Sequence, residues 1–234
     1  MFKKKKTIVT MPTHIAFIMD GNRRWARSRG LNKVLGHKQG AFSLKKMIET
    51  LLKYPEIRFA SFFAFSTDNW KREQAEIDYI FELCYDFVEE YKSQFENKNI
   101  RFVSMGDLTR FPKKLQDILI KTMEETKNNT GLTVNLAMSY GGREDIVHAA
   151  NLVAERGKDI TIENLKENLY SADAPDIDLL IRTSGEMRVS NFMLFQMAYA
   201  EFYFTKLHWP DFDEKELRNA LYEFSKRNRR FGGK

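Results

Sequence analysis

Three short stretches of the chain carry the residue types that phosphate chemistry needs, and each follows an apolar run. Asp20, Gly21, Asn22, Arg23 and Arg24 follow Ile15 to Met19. Ser66, Asn69 and Arg72 follow Phe59 to Phe65, and Arg188 and Ser190 follow Asp178 to Arg182, whose last residue is itself an arginine. Arginine suits the task because its planar fork grips phosphate oxygens at two points. Asp20 cannot bind an anion directly, but its carboxylate can hold a divalent cation that does. Arginines gathered from several stretches repel one another unless a polyanion neutralises them, and the demand is of diphosphate size, for one such group or two. The plainer alternative is that Asp20 caps the helix that follows it.

These groups converge only if the elements beneath them align. Short apolar strands alternate with longer helical patterns along the whole chain, which predicts an α/β fold with a mainly parallel sheet covered by helices. Six strands are expected, at 15–19, 59–65, 100–105, 132–138, 178–182 and 202–207. Helices are expected after 40, over 73–96, over 112–127, after 143, over 162–170, over 192–198 and over 213–227. Gly30, Lys33, Gly36, His37 and Gly40 are assigned to a loop between the first strand and its helix. The helix after Arg143 is expected to bury Ile146, Val147, Ala150 and Val153. In an open parallel sheet, ligands bind beyond the carboxyl ends of the strands, where the polar clusters fall. A helix starting there also offers free N–H groups to an anion.

Composition narrows the class. The chain has 234 residues, 43% of them hydrophobic, and no internal repeat or low-complexity segment, so one domain is expected. The basic stretch of residues 1–12, with Lys3 to Lys6, reads as a mobile tail ahead of a domain spanning 13–234. A net charge of +6 suits a phosphorylated substrate, an anionic membrane surface or nucleic acid. No apolar run is long enough to span a bilayer. The single cysteine, Cys84, falls on the apolar face of a helix, which points to an inert thiol in reducing cytoplasm. Neither glycine-rich nucleotide loop is present. His37 reads either as a base or as a structural histidine. The aromatic stripe Ile77, Ile80, Phe81, Cys84, Phe87, Val88, Tyr91 and Phe95 is either core packing or the wall of an apolar cavity.

Taken together the motifs resemble those of the cis-prenyltransferases. They comprise Met-Asp-Gly-Asn-x-Arg-Trp-Ala at 19–26, Gly-His at 36–37, Ala-Phe-Ser-Thr-x-Asn-Trp at 64–70 and Asn-Thr-Gly-Leu-Thr at 129–133. Tyr-Gly-Gly-Arg at 140–143, Ile-Arg-Thr-Ser-Gly-Glu at 181–186, Arg-x-Ser-Asn-Phe at 188–192, Ala-Tyr-Ala-Glu at 198–201 and Trp-Pro-Asp-Phe at 209–212 continue the series. The resemblance spans about His14 to Gly233. It implies repeated condensation of isopentenyl diphosphate onto an allylic diphosphate such as farnesyl diphosphate, each new double bond being cis. It further implies that Asp20 is the Mg2+ ligand, with Gly21, Asn22, Arg23, Arg24, Trp25, Lys33 and His37 around the allylic diphosphate. Arg182, Arg188 and Ser190 resemble the isopentenyl diphosphate clamp. Ser66, Thr67, Asp68, Asn69, Trp70 and Arg72 match a mobile segment that closes over substrate, with Asn69 orienting the attack. Glu201 resembles a second metal-site acid that reaches across or orders the partner's site in a homodimer.

The resemblance also implies a hydrophobic tunnel for the growing chain and delivery of the product to the membrane, with the protein cytoplasmic or peripheral at the membrane surface. Three positions depart from the family pattern: Arg23 stands where glycine is usual, Lys33 where arginine is frequent, and Asp68 where glutamate is usual. The group that takes the proton is left open among Ser66, Asn69, His37 and a diphosphate oxygen. A non-catalytic partner subunit would lack the acid and arginine clusters. A nucleic-acid-binding protein would spread its arginines over a surface, so no nucleic-acid partner is expected. An all-helical trans-type synthase would carry Asp-Asp-x-x-Asp, which is absent.

Overall fold

Strand β1, His14–Ile18, is buried at every position, as a strand covered by helices on both faces must be. The computed structural model describes residues 8–227; the Lys3 to Lys6 run and the basic residues after Arg227 lie outside them. Around β1 stand β2 (Phe59–Ser66), β3 (Arg101–Met105), β4 (Thr133–Tyr140), β5 (Leu179–Arg182) and β6 (Glu201–Phe204). The sheet order is β3-β4-β2-β1-β5-β6, and all five pairings are parallel. The expected single α/β domain with a six-stranded sheet is what forms.

That order places a topological switch at β1. The chain leaves β1 toward β2 on one side and returns much later as β5 on the other. A crevice opens at the carboxyl ends of such a pair. Ile18 pairs with Arg182 in the register, so the residues just beyond these two strand ends meet at that crevice.

The helices are α1 (Asn22–Arg27), α2 (Lys33–Leu51), α3 (Gln74–Asn97), α4 (Lys113–Thr126), α5 (Gly142–Glu155), α6 (Ile162–Lys166) and α7 (Glu214–Ser225). One core lies between the sheet and α2, α3, α4 and α7, with Phe17 and Phe62 stacked at 4.9 Å and Trp209 edge-on to both. A smaller cluster on the other face contains Ile18, Tyr140, Ile177, Leu180 and Phe192. Among the described residues no helix is long and apolar enough to cross a membrane.

Three expectations are corrected. Lys33, Gly36, His37 and Gly40 belong to α2, not to a loop. The Asn32 side chain accepts from the Val34 N–H and starts the helix there, and the glycines serve close packing rather than turning: a Cβ on Gly36 would lie 2.1 Å from the Asn22 carbonyl oxygen. Residues 192–198 form turns instead of a helix, because Ser190, Asn191 and Met193 take positive φ. Val147 is exposed, and α5 instead buries Gly142, Asp145, Ala149 and Val153. Tyr140 donates to Asp145 at 2.8 Å, which accounts for the buried acid.

His14 gives the fold a pH dependence. Its ring lies buried between the Pro175 carbonyl at 2.7 Å and the Ser61 hydroxyl at 2.8 Å, and burial pushes its pKa down to about 4. The unfolded chain takes up this proton near pH 6.5 and the native chain refuses it until about 4, so stability is lost as the pH is lowered across that interval. The full loss is about 3 kcal/mol, reached near pH 4. Urea unfolding at pH 7 and pH 5 is expected to show the decline, and His14→Gln to flatten it.

Candidate active site

Asp20 sits two residues beyond the end of β1, and the local sequence holds its backbone rigidly. Its carbonyl oxygen accepts from the Thr183 hydroxyl at 2.6 Å, the Ser184 hydroxyl at 3.0 Å and the Trp209 N–H at 3.0 Å. Gly21 turns the chain at φ +107°, and a Cβ there would lie 1.9 Å from the Ser184 hydroxyl oxygen. Only glycine meets both conditions. Gly21, not Asp20, is the N-cap of α1, and no side chain caps that helix. The capping alternative for Asp20 is therefore overturned, and its carboxylate is left for other work.

Both carboxylate oxygens are gripped by arginines. Arg24 Nη2 lies 3.0 Å from Oδ1, and Arg182 Nη2 lies 3.0 Å from Oδ2. Burial raises the Asp20 pKa, but the hydrogen bonds from Arg182 and Arg24 outweigh it and hold the group below the usual carboxylate range. It stays ionised at neutral pH. Arg182 is almost fully buried and also donates to the Ser190 hydroxyl at 2.7 Å and the Arg188 carbonyl at 2.6 Å. Its Nε, buried, has no partner among the described residues. Glu186 joins the two halves of the cleft, accepting from Arg24 at 2.9 Å and from Arg188 at 2.6 Å.

The open part of the site is a cleft of about 320 Å3, lined by Met19, Asp20, Gly21, Asn22, Arg23, Arg24, Arg27, His37 and Arg72. Four arginines against one carboxylate give it a strongly positive lining. At its far wall Glu76 is buried and collects Lys33 at 3.2 Å, His37 Nε2 at 3.2 Å and Arg72 at 3.1 Å. Lys33 also pairs with Glu73. Burial and the Arg72 and Arg23 cations lower the His37 pKa, against the opposing pull of Glu76, so the ring is neutral at neutral pH. Sequence reasoning missed Glu76. The signal was available: it is an acid in the first turn of α3, four residues after Arg72. Glu186 was also missed as a link, although its motif was noted. Glu76→Gln is expected to cost about 2 kcal/mol in urea unfolding, because the Lys33 and Arg72 cations lose their shared carboxylate while remaining partly solvated.

Other expected site residues lie elsewhere. Trp25 donates to Asp211 at 2.7 Å and carries the Arg29 guanidinium over its ring, so it fastens α1 to the 209–211 turn rather than lining the cleft. Ser66 and Asn69 cap the short 3-10 turn Thr67–Lys71 reciprocally. Thr67 donates to Glu144 at 3.4 Å, and Asp68 pairs with Lys71 on the surface. Trp70 is turned inward against Phe65, Phe81 and Phe111, donates to Ser139 at 3.0 Å, and has Arg110 stacked on its outer face. Of this segment only Arg72 reaches the cleft. Glu201 opens β6 opposite Leu179, a strand's length behind Arg182, and pairs with Arg227 at 2.7 Å. Within one chain it does not meet Asp20.

No group of three metal-ligating side chains occurs among the described residues, so the protein offers no complete cage. A Mg2+ ion needs none: it binds through one or two carboxylates plus substrate phosphates and keeps several waters. The ionised Asp20 carboxylate at the rim of an arginine-lined cleft fits that mode.

A parallel α/β sheet with an acid and converging arginines at its switch point defines a protein with a diphosphate-sized anion site. A sequence profile described as "Putative undecaprenyl diphosphate synthase" matches residues 18–232. An isoprenyl transferase of Fusobacterium nucleatum is 46% identical over 224 residues, covering 95% of this chain and 96% of its own. A ditrans,polycis-undecaprenyl-diphosphate synthase, farnesyl-diphosphate specific, of Vibrio vulnificus is 43% identical over 230 residues, covering 95% and 91%. Among solved structures, lavandulyl diphosphate synthase from Lavandula x intermedia in complex with dimethylallyl diphosphate superposes with a TM-score of 0.90 at 37% identity, covering 95% of this chain and 98% of that one. A "probable undecaprenyl diphosphate synthase" from Campylobacter jejuni superposes at 0.82 and 38%, covering 96% and 100%. The chain belongs to the undecaprenyl diphosphate synthase family of prenyl transferases.

Proposed function

We propose that this protein condenses isopentenyl diphosphate repeatedly onto an allylic diphosphate, with farnesyl diphosphate as primer, to give a cis-polyprenyl diphosphate such as undecaprenyl diphosphate. The observation that carries the reading is the Asp20 carboxylate held between Arg24 and Arg182 at the β1–β5 crevice. Arg24, Arg23, His37 and the backbone of Gly21 and Asn22 surround the allylic diphosphate. Arg182, Arg188 and Ser190 hold the isopentenyl diphosphate. Asp20 would hold Mg2+, which would supply charge neutralisation on the leaving diphosphate. The allylic C–O bond breaks as negative charge grows on that group, so guanidinium groups aimed there stabilise the transition state more than the ground state. The isopentenyl double bond then attacks the cationic carbon and a proton leaves. Ser66, Asn69 and Trp70 act when the 66–72 segment closes on bound substrate.

The domain is assigned to residues 13–234, preceded by a basic segment, 1–12, of which Ile8 and Met11 pack against the main core. Glu201 works across a homodimer, an arrangement favoured by β6 being an edge strand of the sheet with Phe202 partly exposed on it. The protein works in the cytoplasm, peripheral at the membrane surface that receives the product. Magnesium-dependent incorporation of labelled isopentenyl diphosphate onto farnesyl diphosphate tests the reading; purified protein that makes no longer prenyl chain overturns it.

The product needs an apolar channel, and we assign its entrance to the cavity that adjoins the cleft. Met19, Asn22 and His37 are common to both, and the cavity continues past Ala41, Leu44, Ala64, Ile80, Leu83, Cys84 and Phe87. Cys84 there is an inert wall residue, since burial pushes its thiol up to about 12. Phe81 points instead into the Phe65, Trp70 and Phe111 cluster. Phe87→Ala is expected to lengthen the products and Phe81→Ala to lower stability without that shift, read by chromatography and by thermal unfolding.

A further inference from the structure

From Gly21 to Ile48 the chain carries eight lysines and arginines and no acid. Arg24, Arg29 and Lys33 of this stretch are tied to carboxylates from elsewhere. Lys38 has no ion pair among the described residues, and the Lys46 ammonium faces only the Phe42 ring, 4.5 Å away. Leu35, Lys38, Phe42 and Lys46 follow one another at spacings of three, four and four, which sets them along one stripe of α2. Leu31, just before the helix, precedes the same stripe. The three apolar members are 40%, 44% and 47% exposed for Leu31, Leu35 and Phe42. A helix whose inward face already buries Leu44, Met47, Ile48 and Leu51 has no packing need for large apolar residues on the outside. The next acid along the chain, Glu49, comes only after the stripe and is engaged by Tyr91 at 2.9 Å.

The exposed face of α4 behaves differently: its lysines are answered within the helix, Lys113 by Asp117 and Lys121 by Glu125. The α2 face therefore combines unanswered positive charge with protruding apolar side chains. A leucine or phenylalanine that enters the headgroup boundary, flanked by lysines that meet anionic headgroups, is the arrangement of a protein lying on a bilayer. A nucleic acid would reward the lysines but leave Leu31, Leu35 and Phe42 in water.

The inner face of the same helix adds a reason. Gly40, Ala41 and Leu44 of α2 wall the apolar cavity beside the cleft. We propose that the Leu31–Lys46 face of α2 is the surface by which this protein docks on an anionic phospholipid bilayer, setting the α2 wall of the product cavity against the membrane that takes up the polyprenyl chain. The docking surface rests on the reading of the reaction only for its purpose, and it is tested without turnover.

Full-length protein is sedimented with vesicles of phosphatidylcholine alone and of phosphatidylcholine with 30% phosphatidylglycerol. Binding to the anionic vesicles is expected, with little to the neutral ones, and it is expected to weaken in 0.5 M salt. Leu35→Glu with Phe42→Glu is expected to lower the partition coefficient about tenfold or more, and Lys38→Glu with Lys46→Glu to do the same, whereas Val147→Glu on exposed α5 leaves it unchanged. Circular dichroism and the thermal midpoint check that each variant is folded, and condensation activity is measured on the same samples. Failure of the parent to bind anionic vesicles, or binding by either double variant as strong as the parent's, overturns the docking surface while leaving the reaction standing. Absence of condensation by a parent that does bind overturns the reaction and leaves the surface. Loss of self-association in the Leu35→Glu, Phe42→Glu variant with vesicle binding intact would assign the stripe to a second copy and sink the proposal.

Discussion

Asp20→Ala is expected to slow prenyl-chain elongation about 1,000-fold, the scale set by removing a preorganised electrostatic group from a transition state. Two effects add. The carboxylate that would hold Mg2+ is lost, and Arg24 and Arg182 lose the partner that fixes both guanidinium groups at 3.0 Å. Asp20→Asn separates them, because an amide can still accept from an arginine but is a poor ligand for a hard cation. The Asn variant loses the metal ligand but keeps an acceptor for one of the two arginines, so its kcat is expected to fall about 100-fold, less than in the Ala variant, with a smaller drop in thermal midpoint. Added Mg2+ should restore neither. An Asp20→Ala protein that elongates at the parental rate removes the basis of the mechanism.

The second large effect is expected at Arg182. This side chain joins Asp20, Ser190 and the Arg188 carbonyl at once, from a buried position at the end of β5. Lysine cannot replace it, since a point charge does not supply three bonds in fixed directions. Arg182→Lys is expected to raise the KM for isopentenyl diphosphate about 100-fold, corresponding to about 2.7 kcal/mol, with a much smaller change in the KM for the allylic diphosphate. Arg182→Ala adds a stability loss of about 3 kcal/mol, because Asp20 then lies partly buried with one oxygen unpaired. Steady-state kinetics with each substrate varied in turn distinguishes the two sites, and equal increases in both KM values would contradict the assignment of Arg182 to the isopentenyl side.

The two predictions are linked by Glu186, which accepts from Arg24 on one side and Arg188 on the other. Without substrate this carboxylate answers the positive charge that two diphosphates would otherwise neutralise. Hydrogen bonds from Arg188 and Arg24 hold its pKa below the usual carboxylate range, so it remains charged through the neutral pH range. Substrate binding must therefore displace or share an existing ion pair, one that offsets the mutual repulsion of Arg24 and Arg188 in the absence of substrate.

The alternation of strands and helices, the single α/β domain and the polar clusters at strand ends follow from hydrophobic period and turn chemistry, which are local properties. So does the position of Asp20 directly after a buried strand. Which strand ends become neighbours is different. Asp20 and Arg182 are 162 residues apart, and they touch because β5 pairs with β1, a choice made by packing across the whole sheet. The start of α2 was misread because Gly36 and Gly40 look like loop residues, whereas their missing side chains let α1 approach α2. The turns at 192–198 carry a helical apolar pattern, yet the positive φ at Ser190, Asn191 and Met193 serves the close fit of that segment to the end of β4, where Gly142 N–H donates to the Asn191 carbonyl at 2.6 Å. Trp25 and Trp70 are assigned to the substrate by the motifs they share with the family, and only the tertiary structure reveals Asp211 beside one and an aromatic cluster around the other. The residue types thus determined by themselves that a diphosphate could be bound, since charge and metal affinity are properties of side chains. The tertiary structure decided which of those side chains share one cleft, because convergence depends on strand order and burial that no short stretch of sequence contains.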